Sequence, residues 1–339
     1  MWQKVSWGLL LLLAVLFPWL SPNKYYLTVV TLSFIYAMAV QGLNIIVGYL
    51  GQLSLAQAGF FGLGAYTCAL LVTRLGWSFW LALPAAALLV TAVALAVGLI
   101  SFRTRGHYFV ILTLCIGVII NLVIEKWEGL TGGVRGLIGI PVPDNLGPIS
   151  FASMTAQYYL VLVCLLLVLG ATHRIVSSLV GRTFLSIRNS EDLAAALGID
   201  VLRHKLLAFG TAAFFAGVAG ALYASFLRFI GPEISHPHLT FEFLVFLLVG
   251  GQASLMGPVL GTLATNVLME SMQFLQDYRM LVFGLLLMLI VKFFPMGAVG
   301  LYYTVKGKLQ HRKVRWPWQF SARIAEGGSR QHVGDQGAN

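Results

Sequence analysis

Between Gln41 and Tyr66 the chain sets Gln41, Asn44, Gln52, Ser54 and Gln57 into an otherwise apolar run, with glycine at 48, 51, 59, 62 and 64. Amides and hydroxyls neither ionise near neutrality nor act as strong bases. The chemistry they offer is reversible hydrogen bonding, either to a polar solute or to backbone groups that a helix has left open. A lipid-facing helix penalises the amides and a soluble helix penalises the glycines. A backbone broken at membrane depth, covered by protein or by a water-filled cavity, accommodates both. Gly51-Gln52-Leu53-Ser54-Leu55 has an echo in Gly251-Gln252-Ala253-Ser254-Leu255. Gly51 and Gly251 are read as break points. Gln52, Ser54, Gln57, Gln252 and Ser254 are read as groups that satisfy the break and line a path. Tight turns at the cytoplasmic surface, without substrate contact, are the alternative. A shared physical need is the better account of the echo, with duplication as the alternative.

Other chemistries lack their residues. The sequence contains no GxxxxGK[ST] phosphate loop, no HExxH, no GxSxG and no cluster of Cys, His and carboxylates at metal spacing. The seven histidines are scattered, and Cys68, Cys115 and Cys164 lie within apolar runs, where they read as small buried hydrophobes. Glu242 and Glu270 are the main acids near the apolar runs. That scarcity argues against a proton- or sodium-coupled carrier, which needs an intramembrane acid. A membrane-embedded enzyme has no catalytic constellation to work with.

The elements that must position these groups are membrane helices. Hydrophobic residues make up 58% of the 339 and charged residues 10%, which excludes a soluble single-core domain. Uncharged runs near 6–20, 25–49, 51–73, 77–101, 108–124, 158–172, 206–227, 241–256, 258–275 and 280–294 predict an all-α polytopic bundle of about ten spans. The first run is read as a retained helix, because no small-x-small cleavage site follows it. With the N-terminus inside, sixteen Lys and Arg fall on the cytoplasmic side and six outside, so both termini are expected in the cytoplasm. The net charge of +10 is then a topology signal and not a nucleic-acid footprint.

The permease domain is expected over 1–305, with an outer loop at 125–157, an inner segment at 173–205 and a basic tail at 306–339 suited to anionic lipid. The outer loop carries Thr131, Gly132, Gly133 and Gly136 in "LTGGVRGLIGIP". In the inner segment, "RNSEDLAAALGID" predicts a short helix. Asn189 is placed as its N-cap with Asp192 in capping-box spacing, Glu191 and Asp192 in the first turn, Leu193 to Leu197 as the body and Gly198 as the stop. Asp200 caps the next helix. The apolar patch of Leu193, Ala194, Ala195, Ala196 and Leu197 is too small for a lipid anchor and suits a partner groove, with an ordinary solvated loop as the alternative. In the span after it, Ala212, Ala216, Gly220 and Ala224 recur at every fourth position, which places that helix at the bundle centre or a subunit interface.

Three blocks resemble the permease family of high-affinity branched-chain amino acid ABC importers, in particular its LivM-type subunit. They are "LNIIVGYLGQLSLAQAGFFGLGAY", "FRTRGHYFVILTL" with "LTGGVRGLIGIP", and "RNSEDLAAALGIDVLRHKLLAFGTAAFFAGVAGALYA". The resemblance implies a fold like that of vitamin B12-type importer permeases. It implies a second permease subunit, two ATP-binding subunits that carry ATP and magnesium, and a periplasmic substrate-binding protein, in a bacterial inner membrane. This chain would bind no cofactor or metal. The segment Arg188, Asn189, Glu191, Asp192, Leu193, Ala195, Leu197 and Gly198 becomes the ATPase-coupling element. Thr131, Gly132, Gly133 and Gly136 become the binding-protein dock. After "TGG" the family commonly has a small polar and then an acidic or amide residue, where this chain has Val134 and Arg135. Related permeases for urea and short-chain amides share the scaffold, and a passive channel is the reading from outside this class.

Overall fold

The computed structural model describes residues 14–19, 23–104, 106–145, 150–271 and 284. Asn23 accepts a hydrogen bond from the Tyr25 amide and opens α1 (Lys24–Leu43), which continues as a π-helical turn over Asn44–Leu50. After an irregular stretch come α2 (Gln57–Thr73), α3 (Phe79–Ser101), α4 (His107–Lys126) and the short α5 (Glu128–Thr131). Next are α6 (Met154–Ser177), α7 (Leu179–Asn189), α8 (Glu191–Ala196) and α9 (Val201–Leu227). The described chain closes with α10 (Pro237–Gly250) and α11 (Gly257–Ser271).

Five helical segments are long and apolar enough to cross a membrane: Lys24–Leu50, α3, α4, α6 and α9; α2 and α10 are shorter apolar helices. The expected ten spans are therefore not all present among the described residues. The run at 280–294 lies outside them except for residue 284, and of the first run only 14–19, which is helical, is described.

Helix α9 forms the centre, as its small residues predict. It packs on α1, α2 and α3, and Ala212, Ala216, Gly220 and Ala224 are all buried. A Cβ at Gly220 would lie 2.0 Å from the Phe61 carbonyl oxygen, so α2 and α9 approach this closely only because glycine stands there. Tyr36, Phe61, Tyr223 and Phe243 fill the neighbouring layer with ring centroids 5.3–6.1 Å apart. The apolar windows of α1 and α9 are 78% and 72% buried, against 28–33% in α3, α4 and α6. These three helices turn Leu81, Leu88, Ile100, Ile119 and Leu167 outward, as helices bordering lipid do. Cys115 is exposed on α4, unlike buried Cys68, because its helix position belongs to that outward face.

The connections gather at two ends. At one end, β1 (Leu137–Ile138) pairs antiparallel with β2 (Phe229–Ile230), and the Asp144 carboxylate accepts the Phe79 amide at 2.9 Å, capping α3. Among the described residues, the segment after α4 is built of α5, a 3₁₀ turn at Gly133–Arg135 and β1. The opposite end collects the π-helical turn, both GQxSL runs, α7, α8 and the start of α9.

Candidate functional site

Helix α8 forms where expected, but its cap lies one residue further on. Ser190 is extended and its Oγ accepts the Leu193 amide at 3.3 Å, while Asn189 stays in the last turn of α7. Gly198 adopts φ +82°, the left-handed conformation that stops a helix, and Asp200 accepts the Arg203 amide to start α9. Ala194 is buried, whereas Leu193 is 62% and Leu197 74% exposed. Ala195 and Asp192 also lie on the exposed side. The apolar patch is therefore presented outward.

The same short helix is anchored inward. Lys205 Nζ meets Glu191 Oε2 at 2.7 Å and sits 5.8 Å from the centre of the Phe102 ring. The Lys205 side chain is 4% exposed, so its charge is held by the carboxylate and the ring face in place of water. Arg188, at the end of α7, donates from Nη1 to the Gly48 carbonyl.

That carbonyl lies in the last turn of the π-helical stretch, where backbone acceptors have no partner within the helix. The Gly51 and Gln52 amides both turn back to Ile46. A guanidinium at a helix C-terminus also complements the negative end of the dipole.

The second GQxSL run packs against the helix end that leads into the first. Gly51 (φ +78°) and Gly251 (φ +106°) both break their helices, as their sequence suggests. Asn44 joins the breaks: Nδ2 donates to the Ser254 carbonyl at 2.8 Å and Oδ1 accepts the Ala253 amide at 2.9 Å. A Cβ at Gly48 would stand 2.6 Å from that Ala253 nitrogen, so the joint requires glycine.

The residues expected along a path divide by partner. Gln57 is buried and donates to the Ala39 and Ala212 carbonyls at 2.8 and 3.3 Å. Ser54 is buried beside the Ala56 amide, and Ser254 donates to the Gly251 carbonyl and accepts the Gly257 amide. Gln52 is half-buried and Gln252 exposed. Gln41 is fully buried, and its amide has no partner among the described residues.

At the opposite end, the four loop residues do structural work in part. Thr131 is buried, and its hydroxyl engages the Ile124 and Trp127 carbonyls at 2.6 and 2.8 Å. Gly132, Gly133 and Gly136 take positive φ, and a Cβ at Gly136 would collide with the Ile230 carbonyl. Of this loop, Val134 and Arg135 are exposed.

Beside it opens a cavity of about 460 Å³ lined by Tyr36, Asn121, Tyr223, Glu233, His236 and Glu242, among others. Its size is in the range of small-molecule sites, which run from roughly 300 to 1,000 Å³. Tyr36 and Tyr223 stack at 5.9 Å, and Asn121 holds the Pro232 carbonyl and the Ser235 hydroxyl at 3.0 and 2.9 Å. His238 Nδ1 lies 3.4 Å from the Glu242 carboxylate. Carboxylates and phenol rings together suit a cationic or zwitterionic small molecule.

Sequence reasoning missed this cavity apart from Glu242, because the stretch from Pro232 to Glu242 that supplies much of its lining becomes a pocket only when Tyr36, Asn121 and Tyr223 are brought against it from distant parts of the chain. No group of three or more His, Cys, Asp or Glu that could hold a metal ion occurs among the described residues.

Comparison with known proteins gives consistent relatives. A family model described as the permease component of the branched-chain amino acid transport system matches residues 25–291. The chain is 32% identical over 319 residues to the high-affinity branched-chain amino acid transport system permease protein LivM of Escherichia coli strain K12, covering 88% of this chain and 75% of that one. It is 24% identical over 288 residues to the LivH permease protein of Salmonella typhimurium strain LT2, covering 80% and 93%. A probable LivM of Methanocaldococcus jannaschii is 26% identical over 189 residues, about half of each chain. No solved structure matches. With the family model spanning most of the chain and LivM matching 88% of it, this multi-pass membrane protein belongs to the branched-chain amino acid transport permease family.

Proposed function

We propose that the chain is the permease subunit of an ATP-driven importer of leucine, isoleucine and valine in a bacterial inner membrane. It pairs with a second, LivH-like permease, two ATP-binding subunits and a periplasmic binding protein. ATP and magnesium are bound by the ATP-binding subunits, and this chain contributes no hydrolytic site. The supporting observation is α8, whose exposed Leu193 and Leu197 sit on a helix locked to the bundle by the Lys205–Glu191 pair. A passive channel has no use for such an anchored apolar knob.

In this reading α7 and α8 face the cytoplasm, both termini lie on that side, and the full chain has about ten spans in the manner of vitamin B12-type importer permeases. The basic tail from 306 lies on lipid headgroups. The binding protein docks over the outer loop, where Val134 and Arg135 are exposed. The cavity between Tyr36 and Glu242 receives the zwitterion, and Gln52 and the second break lie at the inner exit. Alternating access follows: ATP-driven closure of the ATP-binding subunits moves α8, and the movement opens or closes the inner breaks.

Vesicles containing all five polypeptides test this. ATP-dependent uptake of leucine, isoleucine and valine is the expected result. Uptake of urea or short-chain amides in their place would reassign the substrate, and uptake independent of ATP would reject the importer.

A further inference from the structure

The docking helix is tied to the bundle at two points with different consequences. Glu191 and Lys205 fasten α8 to α9, the rigid centre. Arg188 fastens the preceding residues to the end of α1, where the backbone is broken. Its guanidinium takes the Gly48 carbonyl, and its stem lies over Gly51, where an added Cβ would come within 2.6 Å of Arg188 Cγ. Gly48 touches the second break from its other side, through Asn44 and Ala253. One residue thus stands between the α8 cap at Ser190 and the place where α1–α2 and α10–α11 both lose helical continuity.

Resting on the docking reading above, we infer that Arg188 is the positioning residue that makes this double break follow the docking helix. Its guanidinium fits the role because the acceptor is a last-turn carbonyl that no amide of the helix reaches. The charge–dipole attraction adds to the hydrogen bond, and the planar fork fixes the direction of the link. When α8 shifts with its ATPase groove, the Gly48 carbonyl is drawn with it. Asn44 passes the displacement to the Ala253–Ser254 backbone. Lys205 holds Glu191, the first residue of α8, on α9, so Arg188 and the body of α8 lie on opposite sides of the anchored point in the chain and the motion is a pivot about that pair and not a translation of the whole segment.

The test uses the assembled five-polypeptide transporter in vesicles and reads molecules taken up per ATP hydrolysed. Arg188→Ala is expected to lower that ratio tenfold or more while the ATP-binding subunits still co-purify with it. Arg188→Lys, which keeps the charge and a donating ammonium but loses the fork, is expected to recover part of the ratio. An unchanged ratio in Arg188→Ala, or no difference between the Ala and Lys variants, would overturn the inference. Leu193→Glu examines the docking reading separately. Loss of ATP-binding subunits from that variant supports docking, and their retention sinks docking whatever Arg188 does.

Discussion

Gly51-Gln52-Leu53-Ser54-Leu55 and Gly251-Gln252-Ala253-Ser254-Leu255 have nearly the same letters and meet at the same end of the bundle, yet they are held differently. The first follows a π-helical turn and is gripped from outside by Arg188, with its serine making only a long contact of 3.5 Å to the Ala56 amide. The second closes on itself: Ser254 bridges the Gly251 carbonyl and the Gly257 amide, and Ala253 is forced to φ +52°. Asn44 ties it by hydrogen bonds to the helix end before the first, and Gly48 packs against Ala253. A GQxSL run supplies a break and the polar atoms to tolerate it, while the neighbouring elements decide whether that break is free or coupled.

Substitutions can break this contrast, with the stability of the purified chain in nanodiscs as the readout. Lys205→Met leaves Glu191 without its cation. Removing one partner of a buried pair costs 3–5 kcal/mol, and the lower figure of about 3 kcal/mol applies because Glu191 is 27% exposed. Asn44→Leu strands the Ala253 amide and the Ser254 carbonyl, and a loss of about 2 kcal/mol is expected from the two unmade hydrogen bonds. Gly51→Ala places a side chain at φ +78° against the Arg188 stem and is expected to cost about 1–2 kcal/mol. Ala253→Gly has the opposite sign. It relieves the left-handed alanine of the second run and gains under about 1 kcal/mol, offset in part by the entropy of glycine. If alanine were as costly in the second run as in the first, or glycine destabilised position 253, the proposed difference between the runs would be wrong.

Local features were legible in the sequence. The stop at Gly198, the cap at Asp200 and the buried small-residue face of α9 depend on residues within a turn or two of one another. The cap of α8 was misplaced by one residue because Asn189 and Ser190 are both good caps. α7 keeps Asn189 helical and leaves Ser190 as the first extended residue. The breaks at Gly51 and Gly251 were visible as glycines, but their meeting was not. Asn44 and Ser254 are more than two hundred residues apart in the chain, and nothing in either run encodes the other. The Tyr36–Tyr223 cavity was hidden for the same reason. Gln57 could not be placed from its type alone: its amide donates to two backbone carbonyls, Ala39 of α1 and Ala212 of α9.

The central claim is that the end bearing α8 faces the cytoplasm and is covered there by an ATP-binding subunit. A Leu193→Cys variant, with Cys68, Cys115 and Cys164 replaced by alanine, measures it directly with a membrane-impermeant maleimide. The account predicts labelling in inside-out vesicles, none in intact cells, and protection when the ATP-binding subunits are added. Labelling from the outside, or labelling that the ATP-binding subunits leave unchanged, would contradict it.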